Sequence, residues 1–230
     1  MSIHRSSSET AAVAEREVEV PPLGLAGTLT LPTAPRGVVL FAHGSGSSRF
    51  SPRNRRVAAA LQARGLATLL FDLLLPEEEG DRAKVFDIAL LAERLAAAVR
   101  WAANEPDLAR VRIGLFGAST GAAAALVAAA RLGDRIAAVV SRGGRPDLAG
   151  SALDHVTAPT LLIVGGEDGI VVDLNAEALA RLGCEKALEI VPGATHLFPE
   201  PGALETVIDL AGDWFERHLA GSPAARGGEP

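Results

Sequence analysis

Between Arg112 and Ala122 the chain reads Arg-Ile-Gly-Leu-Phe-Gly-Ala-Ser-Thr-Gly-Ala. The spacing Gly117-x-Ser119-x-Gly121 suits a sharp turn from a strand into a helix, where crowding two residues on either side of the apex favours glycine. A serine at that apex projects its hydroxyl from the sheet edge at the positive end of a helix, in strained backbone geometry. Such a hydroxyl is a nucleophile that lacks only a base. The competing reading is an ordinary loop in which Ser119 caps the following helix.

A serine hydroxyl needs an imidazole to take its proton, a carboxylate to orient that imidazole, and N–H donors for the oxyanion that forms. The histidines are His4, His43, His155, His196 and His218, too scattered for a metal cluster. Asp168, Glu167 and Asp173 lie together after an apolar run, and His43-Gly44-Ser45-Gly46 follows another. The glycines of the latter let backbone come close to a substrate.

These residues need elements to carry them. Short apolar runs predict strands over Glu15–Val20, Leu25–Leu31, Gly37–Ala42, Leu66–Phe71, Val111–Phe116, Arg135–Val140, Pro159–Val164 and Lys186–Val191. Helical patterns predict Arg53–Arg64, a long helix over Ala83–Ala103, then Ala122–Arg131, Leu174–Leu182 and Glu200–Leu219. Strands alternating with helices imply a doubly wound, mostly parallel α/β sheet of about eight strands. The first two strands, around Pro21-Pro22-Leu23-Gly24, form an antiparallel hairpin at its edge. One domain over 15–220 is expected, with a flexible N-terminus at 1–14 and a flexible tail at 221–230. In such a sheet ligands bind beyond the carboxyl ends of the strands. The His43, Asp72, Ser119, Asp168 and His196 loops therefore share one face.

Bulk composition narrows the function. The chain has 230 residues, 48% of them hydrophobic and 22% charged, an ordinary globular balance. A net charge of −6 argues against a nucleic-acid partner. A single cysteine, Cys184, excludes an intrachain disulfide framework and a cysteine-rich metal site. No apolar run reaches the length of a membrane span, and the N-terminal residues lack the apolar core of a signal peptide, so a cytoplasmic location is expected. No cofactor is called for.

With its elbow, and with Ser119, Asp168 and His196 in that order after successive strands, the chain resembles the α/β-hydrolase fold. The lidless members related to dienelactone hydrolases look closest. The resemblance covers roughly Glu15 to Ala220. It implies Ser119 as nucleophile, Asp168 as acid and His196 as base, with the Thr120 backbone N–H and that of Ser45 forming the oxyanion hole. Glu167 and Asp173 are the alternative acids. His155 precedes its strand and falls at the opposite edge, and His43 is the residue with which the family shapes the oxyanion loop. Dienelactone hydrolases themselves use a cysteine nucleophile. Here the elbow carries serine, so their substrate does not transfer, and Cys184 reads as structural.

The expected activity is cofactor-free hydrolysis of small carboxylic esters through an acyl-enzyme. The stretch between Val140 and Pro159 leaves no room for a helical cap, so the site should be shallow and specific for short acyl groups. Arg142 and Arg49 are candidates to read a substrate carboxylate or phosphate, because guanidinium forks match such anions. The alternative is surface arginines, Arg49, Arg53, Arg55 and Arg142, paired with the acidic run Glu77-Glu78-Glu79. Leu74 can line the acyl side or belong to the core. The same triad also serves acyltransferases and perhydrolases, and the fold also occurs as a non-catalytic ligand receptor or a module that works with a partner domain.

Overall fold

The computed structural model describes residues 13–220. The expected flexible tail and residues 1–12 lie outside the described residues, while Val13 and Ala14 begin the first strand rather than a loose terminus. The strands are β1 (Val13–Val20), β2 (Leu25–Pro32), β3 (Val38–Ala42), β4 (Ala67–Phe71), β5 (Ile113–Ala118), β6 (Ile136–Arg142), β7 (Thr160–Gly165) and β8 (Lys186–Val191). They form one 8-stranded sheet in the order β1-β2-β4-β3-β5-β6-β7-β8. β1 and β2 pair antiparallel, β2 joins β4 antiparallel, and all later pairings are parallel.

The helices are α1 (Pro52–Ala63), α2 (Arg82–Val85), α3 (Ile88–Ala102), α4 (Thr120–Leu132), α5 (Gly169–Arg181) and α6 (Ala203–Leu219). Strand side chains alternate between two faces. Val38, Leu40 and Leu115 pack under α3 and α4, whereas Val39, Phe41 and Phe116 pack under α1 and α6. The chain leaves β3 for β4 on one side and returns to β5 on the other. That reversal opens a crevice beyond the carboxyl ends of β3 and β5.

The expected long helix over Ala83–Ala103 is two helices. Asp87 interrupts it, because its carboxylate accepts from the Leu90 N–H at 3.0 Å and so caps a new start. α5 begins at Gly169, five residues before the expected Leu174, and α6 begins at Ala203, after the left-handed Gly202, rather than at Glu200. The stretch 146–155 is not a cap. It forms 3-10 turns, broken at Gly150, and buries Ala149 and Leu153 in the α4 side of the core. Among the described residues no helix is long and apolar enough to cross a membrane.

The acidic run behaves differently from the expectation of solvated partners for surface arginines. Glu78 turns inward, with a side chain 10% exposed, and meets Arg94 of α3, 7% exposed, through bonds of 2.6 and 2.9 Å. Arg94 also donates to the Leu73 carbonyl at 2.8 Å, and Glu78 accepts from the Leu75 N–H at 3.0 Å and from Lys84 at 2.8 Å. Each charge in the cluster thereby meets an opposite charge, which buried ion pairs require, and only the Arg94 Nε is left without a hydrogen bond. The result is a fixed path for residues 73–78 at the end of β4.

Removing one partner of that pair should be expensive. Arg94→Met is expected to lose about 3 kcal/mol, roughly 6 to 12 °C in unfolding midpoint for a domain of this size. The hydrogen bonds from Arg94, then Lys84, hold the Glu78 carboxyl well below its usual 4.5. Its contribution is therefore present above pH 4.5 and lost as pH falls through the lowered folded value. Calorimetry at stepped pH should show the gap between parent and variant narrowing in acid.

Candidate active site

β5 ends at Ala118, paired with Arg142 of β6, and the next residue is the apex of the turn. Ser119 has φ 52° and ψ −122°, a conformation that L-residues avoid. α4 starts at once with Thr120. A Cβ on Gly117 would stand 2.6 Å from the Gly121 carbonyl oxygen, and one on Gly121 would stand 2.5 Å from the His43 carbonyl oxygen. Neither position tolerates a side chain, which is the crowding that the glycine spacing implied. The Ser119 side chain makes no capping bond to α4, so the helix-cap reading fails. Its backbone is pinned instead: the Ser119 N–H donates to the Arg142 carbonyl at 3.3 Å, and its carbonyl accepts from Ala122 and Arg145, both at 3.1 Å.

Asp168 follows β7, and His196 lies in the loop after β8. His196 Nδ1 and Asp168 Oδ2 are 2.6 Å apart, with side chains 37% and 20% exposed. The two loops are stitched together, since the Glu167 N–H donates to the Ala194 carbonyl at 2.9 Å. Glu167 and Asp173, the alternative acids, are exposed and make no bond to His196. The His196 loop rests on the end of β6, where a Cβ on Gly143 would stand 2.9 Å from the His196 carbonyl oxygen and 3.7 Å from its Cε1. Phe198, buried and held at φ 54°, anchors the loop from below. Ser119 and His196 thus meet the same strand end. Their side chains are not hydrogen-bonded to each other, a bond that commonly tightens only with substrate bound.

His43 is buried between two backbone groups. Its Nε2 accepts from the Leu73 N–H at 3.1 Å, so its Nδ1–H donates to the Gly44 carbonyl at 3.0 Å. Burial pushes its pKa down, outweighing the Gly44 hydrogen bond and the charges of Asp72 and Glu79, and favours the neutral ring. It ties the β3 loop to the β4 loop and is not placed as a base for Ser119. His155 sits before β7 and His218 in α6, while His4 lies outside the described residues. Cys184 is half-buried just before β8, its Sγ 3.8 Å from the Thr160 hydroxyl.

The β3 loop presses on the apex, for a Cβ on Gly44 would stand 3.0 Å from Ser119 Cβ. The Thr120 N–H is at the first helical position, where no intrahelical acceptor exists. The Ser45 N–H donates to Thr120 Oγ1 at 2.9 Å. One expected oxyanion donor is therefore engaged by the side chain of the residue that supplies the other. Nothing in the sequence around Thr120 marks this hydroxyl for that role. Beside the loop is a cavity of about 290 Å³, walled by Ser45, Leu73, Leu74, Val85 and Leu91, with Glu79 also on its wall. Leu74 belongs to the core on the α3–α4 side and also faces this cavity, and Val85 and Leu91 join it once the helix breaks at Asp87.

The two candidate anion readers separate. Arg49 is occupied: its Nε is 3.2 Å from Asp72, its backbone N–H donates to Asp72 at 2.8 Å, and its Nη1 binds Glu17 and Thr28. It staples the β1–β2 hairpin to the end of β4 and has no fork to offer a substrate. Arg142 is buried, 5% exposed, and its side chain donates to Asn54 Oδ1 at 3.4 Å. Neither pairs with the 77–79 run.

The model of the dienelactone hydrolase family matches residues 25–214. The crystal structure of dienelactone hydrolase from Anabaena variabilis superposes with a TM-score of 0.87 at 54% identity, covering 92% of this chain and 100% of that one. Est1E from Butyrivibrio proteoclasticus shares the fold, with a TM-score of 0.74 at 17% identity over 89% of this chain and 98% of its own. A protein of Mycobacterium tuberculosis (strain H37Rv) named "Putative phosphoribosyl transferase" is 57% identical over 95% of this chain and 52% of its own length. The chain thus spans about half the length of that relative.

The strain at the apex is measurable. Ser119→Ala keeps the unfavourable φ, whereas Ser119→Gly relieves it. The glycine variant is expected to unfold about 1 kcal/mol later than the alanine variant, roughly 2 to 4 °C by calorimetry. At an unstrained site the order would reverse, because glycine has more chain entropy to lose.

Proposed function

The chain belongs to the dienelactone hydrolase family, and from that premise we propose that it is a serine hydrolase cleaving small carboxylic esters through an acyl-enzyme on Ser119. The observation that carries this reading is the 2.6 Å bond between His196 Nδ1 and Asp168, in a loop that lies against Gly143, next to the Arg142 carbonyl that binds the Ser119 N–H. Asp168 fixes the tautomer in which Nδ1 carries the hydrogen, leaving Nε2 to accept the Ser119 proton as Oγ attacks the ester carbonyl. The oxyanion is taken by the Thr120 N–H and by the Ser45 N–H, once the latter exchanges the Thr120 hydroxyl for the substrate. The protonated imidazole then passes its proton to the leaving alcohol. Water, deprotonated by the same ring, attacks the acyl-enzyme and restores Ser119.

Hydrolase activity is what the family supports, and an ester substrate is the finer part of the proposal. The cavity of about 290 Å³ has an apolar wall of Leu73, Leu74, Val85 and Leu91, held in place by the Glu78–Arg94 pair. We place the short acyl group there. The name of the mycobacterial relative is not carried over, because this chain aligns with only half of that protein.

Steady-state kinetics on p-nitrophenyl esters test the proposal. Each buried methylene is worth roughly 0.8 kcal/mol while room lasts, so kcat/KM should peak at acyl groups of about two to four carbons and fall beyond them. Ser119→Ala and His196→Ala should each lower kcat by several orders of magnitude, and the double variant should be little worse, since the groups act as a unit. Asp168→Asn should fold and still lose most activity. A preference for acyl chains of about ten carbons or more would contradict the open site, and full turnover by Ser119→Ala would remove the mechanism.

A further inference from the structure

Among the described residues, Arg142 carries a charge that no carboxylate answers. Alternation along β6 puts its side chain on the α1–α6 face, after Ala138 and Val140. There it is 5% exposed, its Nε has no hydrogen-bond partner, and its guanidinium lies 6.0 Å from the Phe198 ring. Burial is the main cause that lowers its pKa to about 10, and the charge of Arg53 adds to it, so it remains a cation at neutral pH. Arg53 has a buried, unpartnered Nε as well. Among the described residues neither arginine is within ion-pair distance of a carboxylate, although most of the other arginines there are. Buried charges are ordinarily paired.

The surroundings reinforce the positive potential. Asn54, which accepts from the Arg142 side chain, and Arg53 both lie in the first turn of the twelve-residue α1, whose dipole presents its positive end there. Arg53 and Phe198 also line a cavity of about 450 Å³. Two acids share its wall: Glu205 pairs with Arg56, which lines the same cavity, and Glu200 accepts from the Thr195 hydroxyl at 2.6 Å through Oε1 while its buried Oε2 has no partner. Two guanidinium groups that repel each other beside a helix N-terminus are relieved together by a group of two negative charges. A phosphoryl group fits, and its oxygens match the forks.

We propose that Arg142 and Arg53, at the start of α1, form a binding site for a dianionic phosphoryl group, and that the esters this protein takes carry one. The second clause rests on the hydrolase reading, and on the backbone at this strand end, where the Arg142 carbonyl accepts from the Ser119 N–H and Gly143 lies against His196. The first clause does not.

The test uses the full chain and inorganic phosphate, with thermal unfolding in phosphate, acetate or chloride at matched ionic strength. Phosphate should raise the midpoint of the parent by several degrees and that of Arg142→Met by less than a third as much. Acetate should do little. In chloride, Arg142→Met should unfold no earlier than the parent, since it deletes an unpaired buried charge. If that variant does not fold, Arg53→Met should at least halve the phosphate shift. No phosphate shift, an equal shift in the variants, or a larger shift with acetate overturns the site. The source is then separated kinetically, with a short ester whose alcohol bears a phosphate monoester. Its kcat/KM should exceed that of the neutral analogue at least tenfold, with inorganic phosphate competing. Equal rates alongside a phosphate shift mean that the site holds free phosphate, and overturn the substrate clause. A phosphate shift with no turnover of any ester leaves the site standing and removes the hydrolase reading.

Discussion

The first turn of α4 is driven so hard against the ends of β3 and β5 that neither Gly117 nor Gly121 can carry a side chain. The rest of the edge depends on that contact. It forces Ser119 into its strained backbone and strips it of a capping role. It also brings the His43–Gly46 loop to within van der Waals reach of the apex, where the Ser45 N–H finds the Thr120 hydroxyl. The strained turn persists because its neighbours over-determine it: the Ser119 N–H and carbonyl are both bonded to the β6 loop, and that loop is the floor on which the His196 segment rests.

Charged side chains do the work of loop architecture around this edge. Arg49 joins the hairpin to the end of β4 through Asp72 and Glu17, and Arg94 with Glu78 shapes residues 73–78. Both clusters satisfy their charges within the protein, so they fix backbone that would otherwise wander on a surface loop. Arg142 follows the opposite pattern. It is as buried as Arg94 but, among the described residues, has no acid within ion-pair distance, and that difference is what the proposed phosphoryl site rests on.

Much of the fold was legible because it is local. Apolar runs of strand length, each followed by a helical pattern, gave the alternation of a parallel sheet, and every expected strand is present within a few residues. The meeting of Asp168 and His196 was legible for a topological reason, since residues that follow parallel strands must gather at one edge. What escaped was set by contacts far apart in sequence. Nothing near Glu78 marks it as the member of a Glu triplet that turns inward toward Arg94, and nothing near Arg49 announces Asp72 and Glu17. The helix break is a different case: Asp87 before Ile88-Ala89-Leu90-Leu91 is a cap signal, outweighed in the sequence reading by the periodicity running through it. The side-chain role of Thr120 depends on where the β3 loop lands, which one sequence does not show.

The central claim is that the hydroxyl at this strained apex is the reacting group. Labelling with a fluorophosphonate, which modifies only an activated serine, followed by digestion and mass spectrometry, tests it most directly. The account predicts one adduct, on the peptide containing Ser119, absent from Ser119→Ala and much slowed in His196→Ala. No adduct on the parent chain, or an adduct that survives Ser119→Ala, would contradict it.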